Sequence, residues 1–394
     1  MKHTDSVLEI LQTYPPGGLA QLSREREAID KLIDSDNPPA IYGFTTLLGH
    51  LDNQSMTAEA QQDLLQAHLV GPEEYLPASY CNLLAVVKTR QLLNGGTGVS
   101  PEAFSMLSNT SWNEPVGGNW LGSYGSGDVV PGAWFVKALM QENPGIVLKP
   151  GDLIALMSGN FSSVAVSIVG LATMDGMHND IDSIAAVVDN TLSEHDGSIQ
   201  RSVSTRDMSP MFNELHDSSR QLKDSIIDAL QRQSGNPLFV VNDGGATPVS
   251  NSSFLDFNLR ASLIRATHAT AIAHTYLLGM TRSVEKLQSE SSTTLVQPTK
   301  IMSANHKRLE EVSAGLTSGY SIVESGGVED VCDLTIHGAM ALLKSQSILR
   351  ESIEIMYDVL SVITGNDIHP VEIDTPSGQL ESLGRHLIAA SKTY

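Results

Sequence analysis

The residues most able to do unusual chemistry lie in one glycine-rich segment, Gly122-Ser-Tyr-Gly-Ser-Gly-Asp-Val-Val-Pro131. Ser126 lies between Gly125 and Gly127, and Asp128 follows directly. Because glycine tolerates tight backbone geometry, the amide nitrogen of Gly127 can reach the carbonyl carbon of Gly125. Closing that five-membered ring with loss of two waters, one from the Ser126 side chain, gives a 4-methylidene-imidazol-5-one. This group is an electrophile, so the segment suggests a reaction class; an ordinary surface turn is the alternative.

Composition limits the kinds of partner that the chain can have. It has 394 residues and a formal net charge of -21, from 45 acidic against 24 basic residues. Such a surface repels phosphate backbones, so no nucleic-acid binding is predicted. Two cysteines do not make a disulfide framework. The sequence has no uninterrupted apolar run of about 18 residues and no secretory signal, so we expect no membrane partner and a cytoplasmic location.

The elements that must position this segment are mostly helices. Apolar residues at helical spacing, with Gly and Pro at the ends, predict a loop-rich region over 1–134 that carries the reactive residues. Small residues on long helices predict a mainly α, antiparallel helical bundle over 135–394. Loops are expected at 41–49 and 105–132, with polar connections at Ser202–Thr205 and Ser289–Thr294. The predicted helices are Leu22–Ile33, Thr57–Val70, Ser79–Leu93, Ala133–Met140, Leu153–Met174, Ile181–Leu192, Met211–Gln233, Phe257–Gln288, Thr299–Leu316 and Val331–Leu360.

A second group of titratable residues, Asp175, His178, Asp180 and Asp182, is predicted to form a compact acidic loop. Oxygen ligands at this spacing could hold a cation, but the pattern lacks the glycine turn of a calcium loop. We favour the other interpretation, in which these acids cap the N-terminus of a helix, and predict no metal site.

Taken in order, the motifs of this chain resemble those of the aromatic amino-acid ammonia-lyase family, with histidine ammonia-lyase as the nearest pattern. The resemblance runs from about Ile41 to about Ala339 and depends on the order of several motifs, each weak alone. They are Tyr42-Gly-Phe-Thr-Thr-Leu-Leu-Gly49, Asp63-Leu-Leu-Gln-Ala-His-Leu-Val-Gly71, Leu92-Leu-Asn-Gly-Gly-Thr-Gly-Val-Ser-Pro101, Ser126-Gly-Asp-Val-Val-Pro131, Ser204-Thr-Arg206, Ser234-Gly-Asn-Pro-Leu-Phe239 and Glu329-Asp330.

The chain also departs from the family pattern. Its cofactor tripeptide begins with Gly125 where the family has alanine, and the loop is one residue shorter just upstream. Ser158-Gly159-Asn160 stands where the family has Asn-Gly-Thr. Val203 replaces a tyrosine, and Ser253 replaces an asparagine. The chain is also shorter than the usual members, so we describe it as a divergent, shortened relative.

The resemblance assigns a role to each candidate site residue. Tyr42 would be the base that removes the β-proton, and its pKa, ordinarily about 10, would have to be lowered by cations or helix termini. Ser126 with its glycine neighbours would form the electrophile, assisted by Asp128. His68 and Glu329 would read a polar substrate side chain, and Arg206 would bind the substrate carboxylate. The remaining residues predicted to bind substrate are Phe254, Ser158 and Asn160.

Three functions therefore remain open on the sequence. The leading prediction is a carbon–nitrogen lyase of the methylidene-imidazolone type, or a related 2,3-aminomutase, acting on a polar amino acid. The second is a cofactor-free enzyme of the same fold that catalyses acid–base elimination, cyclisation or isomerisation. The third is a non-catalytic binding protein. The resemblance also implies a homotetramer, because family active sites are completed by loops from neighbouring subunits.

Overall fold

The structure is a computed structural model, and it describes residues 3–195, 200–243, 245–288, 295–316, 320–324, 329–370 and 376–391. The polar connection predicted at Ser289–Thr294 lies outside the described residues. The helices are α1 His3–Gln12, α2 Gly18–Ile33, α3 Ala58–His68, α4 Ala78–Leu92, α5 Pro101–Asn109, α6 Val129–Glu142, α7 Asp152–Met157, α8 Phe161–His195, α9 Val203–Arg206, α10 Ser209–Gln231, α11 Phe257–Glu285, α12 Pro298–Ala314, α13 Thr335–Thr364 and α14 Pro376–Ala390, with a short 3-10 helix at Gly49–Leu51. The strands are β1 Glu74–Leu76, β2 Val116–Gly118, β3 Leu238–Asn242, β4 Gly245–Val249, β5 Tyr320–Glu324 and β6 Glu329–Cys332.

Helix α8 is the centre of the bundle. Residues 161–175 are all buried, and the helix packs against α4, α10, α13 and α14. Gly170 lets Leu342 of α13 come close, because a Cβ at Gly170 would lie 3.0 Å from the Leu342 side chain. By length and hydropathy the stretch Asp152–Glu194 qualifies as a candidate membrane-spanning helix, yet its most apolar window is fully buried, which is the behaviour of a core helix.

The strands of the described residues form three antiparallel pairs. β1 pairs with β2, β3 with β4, and β5 with β6. The last pair begins with Tyr320 opposite Cys332 and ends with Glu324 opposite Glu329. The predicted fold class, a mainly α bundle, is confirmed; the division of the chain at residue 134 stays a prediction.

The predicted acidic loop is wrong. Asp175 and Asp180 lie inside α8, so neither a loop nor a helix N-terminus is present there. The Asp175 carboxylate accepts hydrogen bonds from the backbone and hydroxyl of Thr4, and Asp180 pairs with Arg350. Among the described residues no group of three or more His, Cys, Asp or Glu side chains is arranged to hold a metal.

Several predicted boundaries also differ from the structure. The helix predicted from Leu153 to Met174 breaks at 158–160, and α8 continues past the predicted gap at 175–180. The start of the helix predicted from Val331 is instead β6, because pairing with β5 takes up that stretch. The end of α5 and the start of α6 lie in the stretch predicted as loop, and the polar connection at Ser202–Thr205 is mostly helical. Helices α1 and α14 were not predicted.

Candidate active site

The loop around Ser126 has a backbone that only glycine adopts without strain. Gly125 and Gly127 have φ angles of +91° and +75°, in the left-handed region, and Ser126 is buried between them. A Cβ at Gly125 would lie 2.9 Å from the backbone nitrogen of Leu334. The departure from alanine at this position therefore has a structural reason, since a side chain there would meet backbone.

Three hydrogen bonds fix the shape of this loop. The Ser123 hydroxyl donates to the Gly127 carbonyl at 3.0 Å and accepts from the Gly125 amide at 3.2 Å. The backbone amide of Asp333 donates to the Gly125 carbonyl oxygen at 2.9 Å. Both ends of the Gly125–Gly127 tripeptide are thus held by groups outside it.

Asp128 joins the loop to the bundle. Its carboxylate accepts hydrogen bonds from the Ser163 amide at 2.7 Å and the Ser163 hydroxyl at 2.9 Å. Its own backbone amide donates to the Gly159 carbonyl at 2.8 Å. Burial raises the pKa of Asp128 to about 6, although the Ser163 donors oppose the shift. The carboxylate can therefore take up or release a proton near neutral pH.

A cavity of about 300 Å³ opens beside the loop and gathers residues from distant parts of the sequence. Five of the predicted site residues line it. They are Tyr42, Ser126, Ser158, Phe254 and Glu329. Its other walls are Val129, Ile154, Asn236, Ser250, Asn251, Ser252, Leu255, Asp330 and Val331.

Tyr42 lies at this cavity with its phenol oxygen accepting a hydrogen bond from the Gly49 amide at 3.0 Å. Burial raises the pKa of Tyr42, and this outweighs the Gly49 donor, which lowers it. The negative charge of Glu329 raises the pKa further. The expectation of a lowered phenol pKa is therefore wrong for the groups of this chain that surround Tyr42.

Glu329 lies on strand β6, not at a helix N-terminus as the alternative interpretation of Glu329-Asp330 required. The hydroxyl of Tyr124 donates to Glu329 Oε1 at 3.1 Å. Burial, followed by the Glu329 charge, raises the pKa of Tyr124, which keeps that phenol protonated as a donor. Tyr124 is a site residue that the sequence reasoning missed, although it lies two positions before Ser126.

Asn160 is committed to a buried network away from the cavity lining. Its Oδ1 accepts hydrogen bonds from Gln91 at 2.8 Å and Ser234 at 3.2 Å. Its Nδ2 donates to Asp256 at 3.2 Å. The predicted role of Asn160 in substrate or cofactor binding stays a prediction, and the structure gives the amide a positioning role between three elements.

Lys88 is the second residue that the sequence reasoning missed. It lies on α4, is 1% exposed, and donates from Nζ to the Ser158 carbonyl at 2.6 Å. The amine also lies 5.0 Å from the centre of the Phe161 ring. Burial lowers the pKa of Lys88 to about 7, while Asp128 opposes the shift. A lysine among apolar residues on one helix was the available signal.

Besides Asn160, two further predicted substrate-binding residues are not among those lining this cavity. His68 is half-buried at the end of α3, with Nδ1 2.7 Å from the Leu64 carbonyl. Arg206 is exposed on α9 and donates to the Arg201 carbonyl at 3.0 Å. The chain therefore brings together Tyr42, the Ser126 loop and Glu329 at one cavity, but not Arg206, the residue predicted to bind the substrate carboxylate.

Comparison with known sequences gives matches to amino acid lyases over part of the chain. Residues 13–144 match the family model described as aromatic amino acid lyase. The histidine ammonia-lyase of Deinococcus radiodurans is 30% identical over 91 residues, which is 22% of this chain and 17% of that protein. The histidine ammonia-lyase of Streptomyces avermitilis is 25% identical over 194 residues, 42% of this chain and 37% of that protein. The matched part thus spans well under half the length of these curated relatives.

Comparison with solved structures extends over the whole chain. The ergothioneine degrading enzyme ergothionase from Treponema denticola is similar with a TM-score of 0.78 and 12% identity, covering 99% of this chain and 97% of that one. Tyrosine aminomutase from Streptomyces globisporus is similar with a TM-score of 0.76 and 13% identity, covering 100% and 97%. At this identity the likeness establishes the fold.

Proposed function

Because part of the chain matches the aromatic amino acid lyase model and two histidine ammonia-lyases, we propose that it is a divergent member of that family and acts as a carbon–nitrogen lyase or aminomutase. It would release or move the α-amino group of an amino acid with loss of a β-proton. One observation carries the proposal: Tyr42, Ser126 and Glu329 line one cavity although they are far apart in sequence. Its volume of about 300 Å³ lies at the small end of the usual range for ligand sites, about 300–1,000 Å³.

The residues of the loop fit a self-formed methylidene-imidazolone. Two left-handed glycines flank a buried serine, and outside hydrogen bonds hold both ends of the tripeptide. The group would supply an electrophile that takes up the substrate amine. It would be made from Gly125, Ser126 and Gly127, and Asp128 would exchange protons beside it.

The other residues of the cavity have separate tasks in this proposal. Tyr42 accepts the β-proton, which requires its phenolate form. Glu329, held by Tyr124, offers a carboxylate to a donor or cation on the substrate side chain, which favours a polar substrate. Phe254 supplies an apolar wall. Arg206 would reach the substrate carboxylate from a neighbouring subunit of a homotetramer.

The second candidate is a cofactor-free enzyme that uses the same cavity for acid–base chemistry. The hydrogen bonds of Asn160 favour this candidate. Its Oδ1 accepts from Gln91 and its Nδ2 donates to Asp256, so neither bond is made to the Ser126 loop. In that case Tyr42 and Glu329 would exchange protons with the substrate, and Ser126 would only shape the cavity.

The intact mass of the purified chain decides between the two candidates. We expect a mass lower than that of the sequence by two waters, and a further adduct after borohydride treatment. Ser126→Ala should have its full sequence mass, no adduct and no turnover of the amino acids that the wild type deaminates. Ser252→Ala, which removes another hydroxyl from the same cavity, is the matched control and should keep the deficit. A full-mass wild type that still turns over substrate would favour the cofactor-free enzyme.

A further inference from the structure

Ser123 is a buried serine whose hydroxyl bridges the two ends of the Gly125–Gly127 tripeptide. It accepts from the Gly125 amide at 3.2 Å and donates to the Gly127 carbonyl at 3.0 Å. These two groups belong to residues two apart in sequence, so one hydroxyl can contact both only when the tripeptide is folded back on itself. Ring closure needs a turn of this kind, because the Gly127 nitrogen must come to the Gly125 carbonyl carbon.

The same hydroxyl also contacts Asp128. Its hydrogen bond to the carboxylate lowers the pKa of Asp128 against the larger effect of burial, which raises it. Since a serine hydroxyl has one hydrogen, Ser123 can point it at the Gly127 carbonyl or at Asp128. Ser123 therefore lies between the closing tripeptide and a carboxylate that exchanges protons near neutral pH.

We propose that Ser123 is a positioning residue for closure of the ring in the Gly125–Gly127 tripeptide. The inference rests on the proposed function, because it concerns how the self-formed group arises. Ser123 holds the turn closed, and the Asp333 amide, 2.9 Å from the Gly125 oxygen, stabilises negative charge that develops there as the bond forms.

The atoms of this closure balance without an oxidant or reductant. A bond forms between Gly127 nitrogen and Gly125 carbonyl carbon. The Gly125 oxygen leaves as water with the hydrogens of the Gly127 and Ser126 amides, which leaves a carbon–nitrogen double bond. The Ser126 hydroxyl leaves as the second water with the Ser126 α-hydrogen, which leaves the methylidene group. Ser123 gains and loses nothing, so its part is geometric.

The experiment follows the two-water deficit by intact mass after cell-free synthesis of full-length variants. Ser123→Thr keeps a hydroxyl, and Ser123→Val replaces it with a side chain of the same shape as threonine that has no hydroxyl. We expect ring closure to slow about tenfold or more in Ser123→Val and Ser123→Ala, since an aligned geometry is lost, and to be largely kept in Ser123→Thr. Ser167→Ala is the matched control, because Ser167 is buried on α8 and its hydroxyl donates to the Ser163 carbonyl of the same helix.

The outcomes separate this inference from the proposed function. A wild type and a Ser123→Val variant that close equally fast would overturn the role of Ser123 and leave the lyase proposal intact. A wild type without any deficit would overturn both. If Ser123→Ala does not fold, the comparison of Ser123→Thr with Ser123→Val still tests the role of the hydroxyl. Each of these variants is first checked for a thermal midpoint equal to that of the wild type. Loss of the deficit in Ser167→Ala to the same extent would reduce the effect of Ser123 to general core damage and overturn the inference.

Discussion

Lys88 is a buried amine close to the site, and its Nζ donates a hydrogen bond to the Ser158 carbonyl. That carbonyl belongs to the turn whose next residue, Gly159, accepts from the Asp128 amide. A buried ammonium is costly without an opposite charge in contact, which is why burial lowers its pKa to about 7. Lys88 thus connects α4 to the Ser126 loop through one backbone turn.

This burial predicts how stability depends on pH. Between pH 7 and 10.5 the folded Lys88 is mostly neutral while an unfolded lysine is protonated, so the unfolded chain binds more protons and stability rises with pH. The rise is at most about 1.4 kcal/mol per pH unit. We expect Lys88→Met to lose this rise in urea-denaturation midpoints measured from pH 7 to 10. Lys137→Met, at a partly exposed lysine over Trp134, should keep it; equal slopes in all three proteins would contradict the assignment.

Tyr42 predicts the pH dependence of turnover. Because burial raises its pKa, the phenolate is the minor form throughout the neutral range. If Tyr42 is the base, kcat/KM should rise about tenfold per pH unit and show no plateau below pH 9 or so. Tyr42→Phe should lower turnover by a factor of about 10² to 10⁴. A plateau that begins near pH 7 would contradict a Tyr42 base whose pKa is raised by burial.

At the scale of elements, the site depends on the contact between α6 and α7. Helix α6 begins just after Asp128, and α7 ends just before Ser158, so their packing sets the distance between the loop and the cavity floor. Gly132 makes this contact possible, because a Cβ there would lie 2.1 Å from the Met157 carbonyl oxygen. A change in the distance between α6 and α7 would therefore displace Asp128 relative to Ser158.

We therefore expect Gly132→Ala to lower the free energy of unfolding by about 1–3 kcal/mol or more, since backbone must shift to admit the methyl group. Turnover should fall with it. Gly315→Ala is the control. Gly315 is the C-cap of α12 with a φ of −77°, and a Cβ there would lie 3.8 Å from its nearest neighbour, the Val312 carbonyl oxygen. It should change stability by less than about 1 kcal/mol. Chemical denaturation of both variants measures the difference, and equal midpoints would contradict the packing argument.

Local sequence signals predicted some elements well and missed others for identifiable reasons. Helix α4 was predicted to within one residue because Asn94-Gly95-Gly96 is a strong end signal. The break at 158–160 was missed because apolar residues continue on both sides, and the contacts that stabilise it come from Lys88 and the Asp128 amide. Strand β6 was predicted as helix because its partner, β5, is not visible in a local pattern.

Only the site residues that belong to a recognisable sequence motif could be predicted. Tyr42, Ser126 and Glu329 were placed together through the order of short motifs, and the cavity contains all three. Tyr124 and Lys88 were not found, because their partners lie 205 and 70 residues away in sequence. No spacing rule connects such positions, and the contacts exist only once the bundle brings β6 and α7 beside the loop.

At the scale of the whole molecule, the placement of Arg206 and Tyr42 predicts shared sites. Arg206 is exposed on α9 and is not part of the cavity that contains Tyr42 and Ser126. In a homotetramer whose sites combine residues of different subunits, mixed oligomers of Tyr42→Phe and Arg206→Ala regain intact sites. Random one-to-one mixing restores roughly one site in four in a closed symmetric assembly.

The control pair is Tyr42→Phe mixed with Ser126→Ala. This pair should restore no sites, because both residues line the cavity of one subunit. Activity of co-expressed pairs, at equal tetramer concentration by sedimentation, measures this. No recovery in the first pair would place Arg206 outside the site, and recovery by the second pair would contradict a site in which Tyr42 and Ser126 belong to the same subunit.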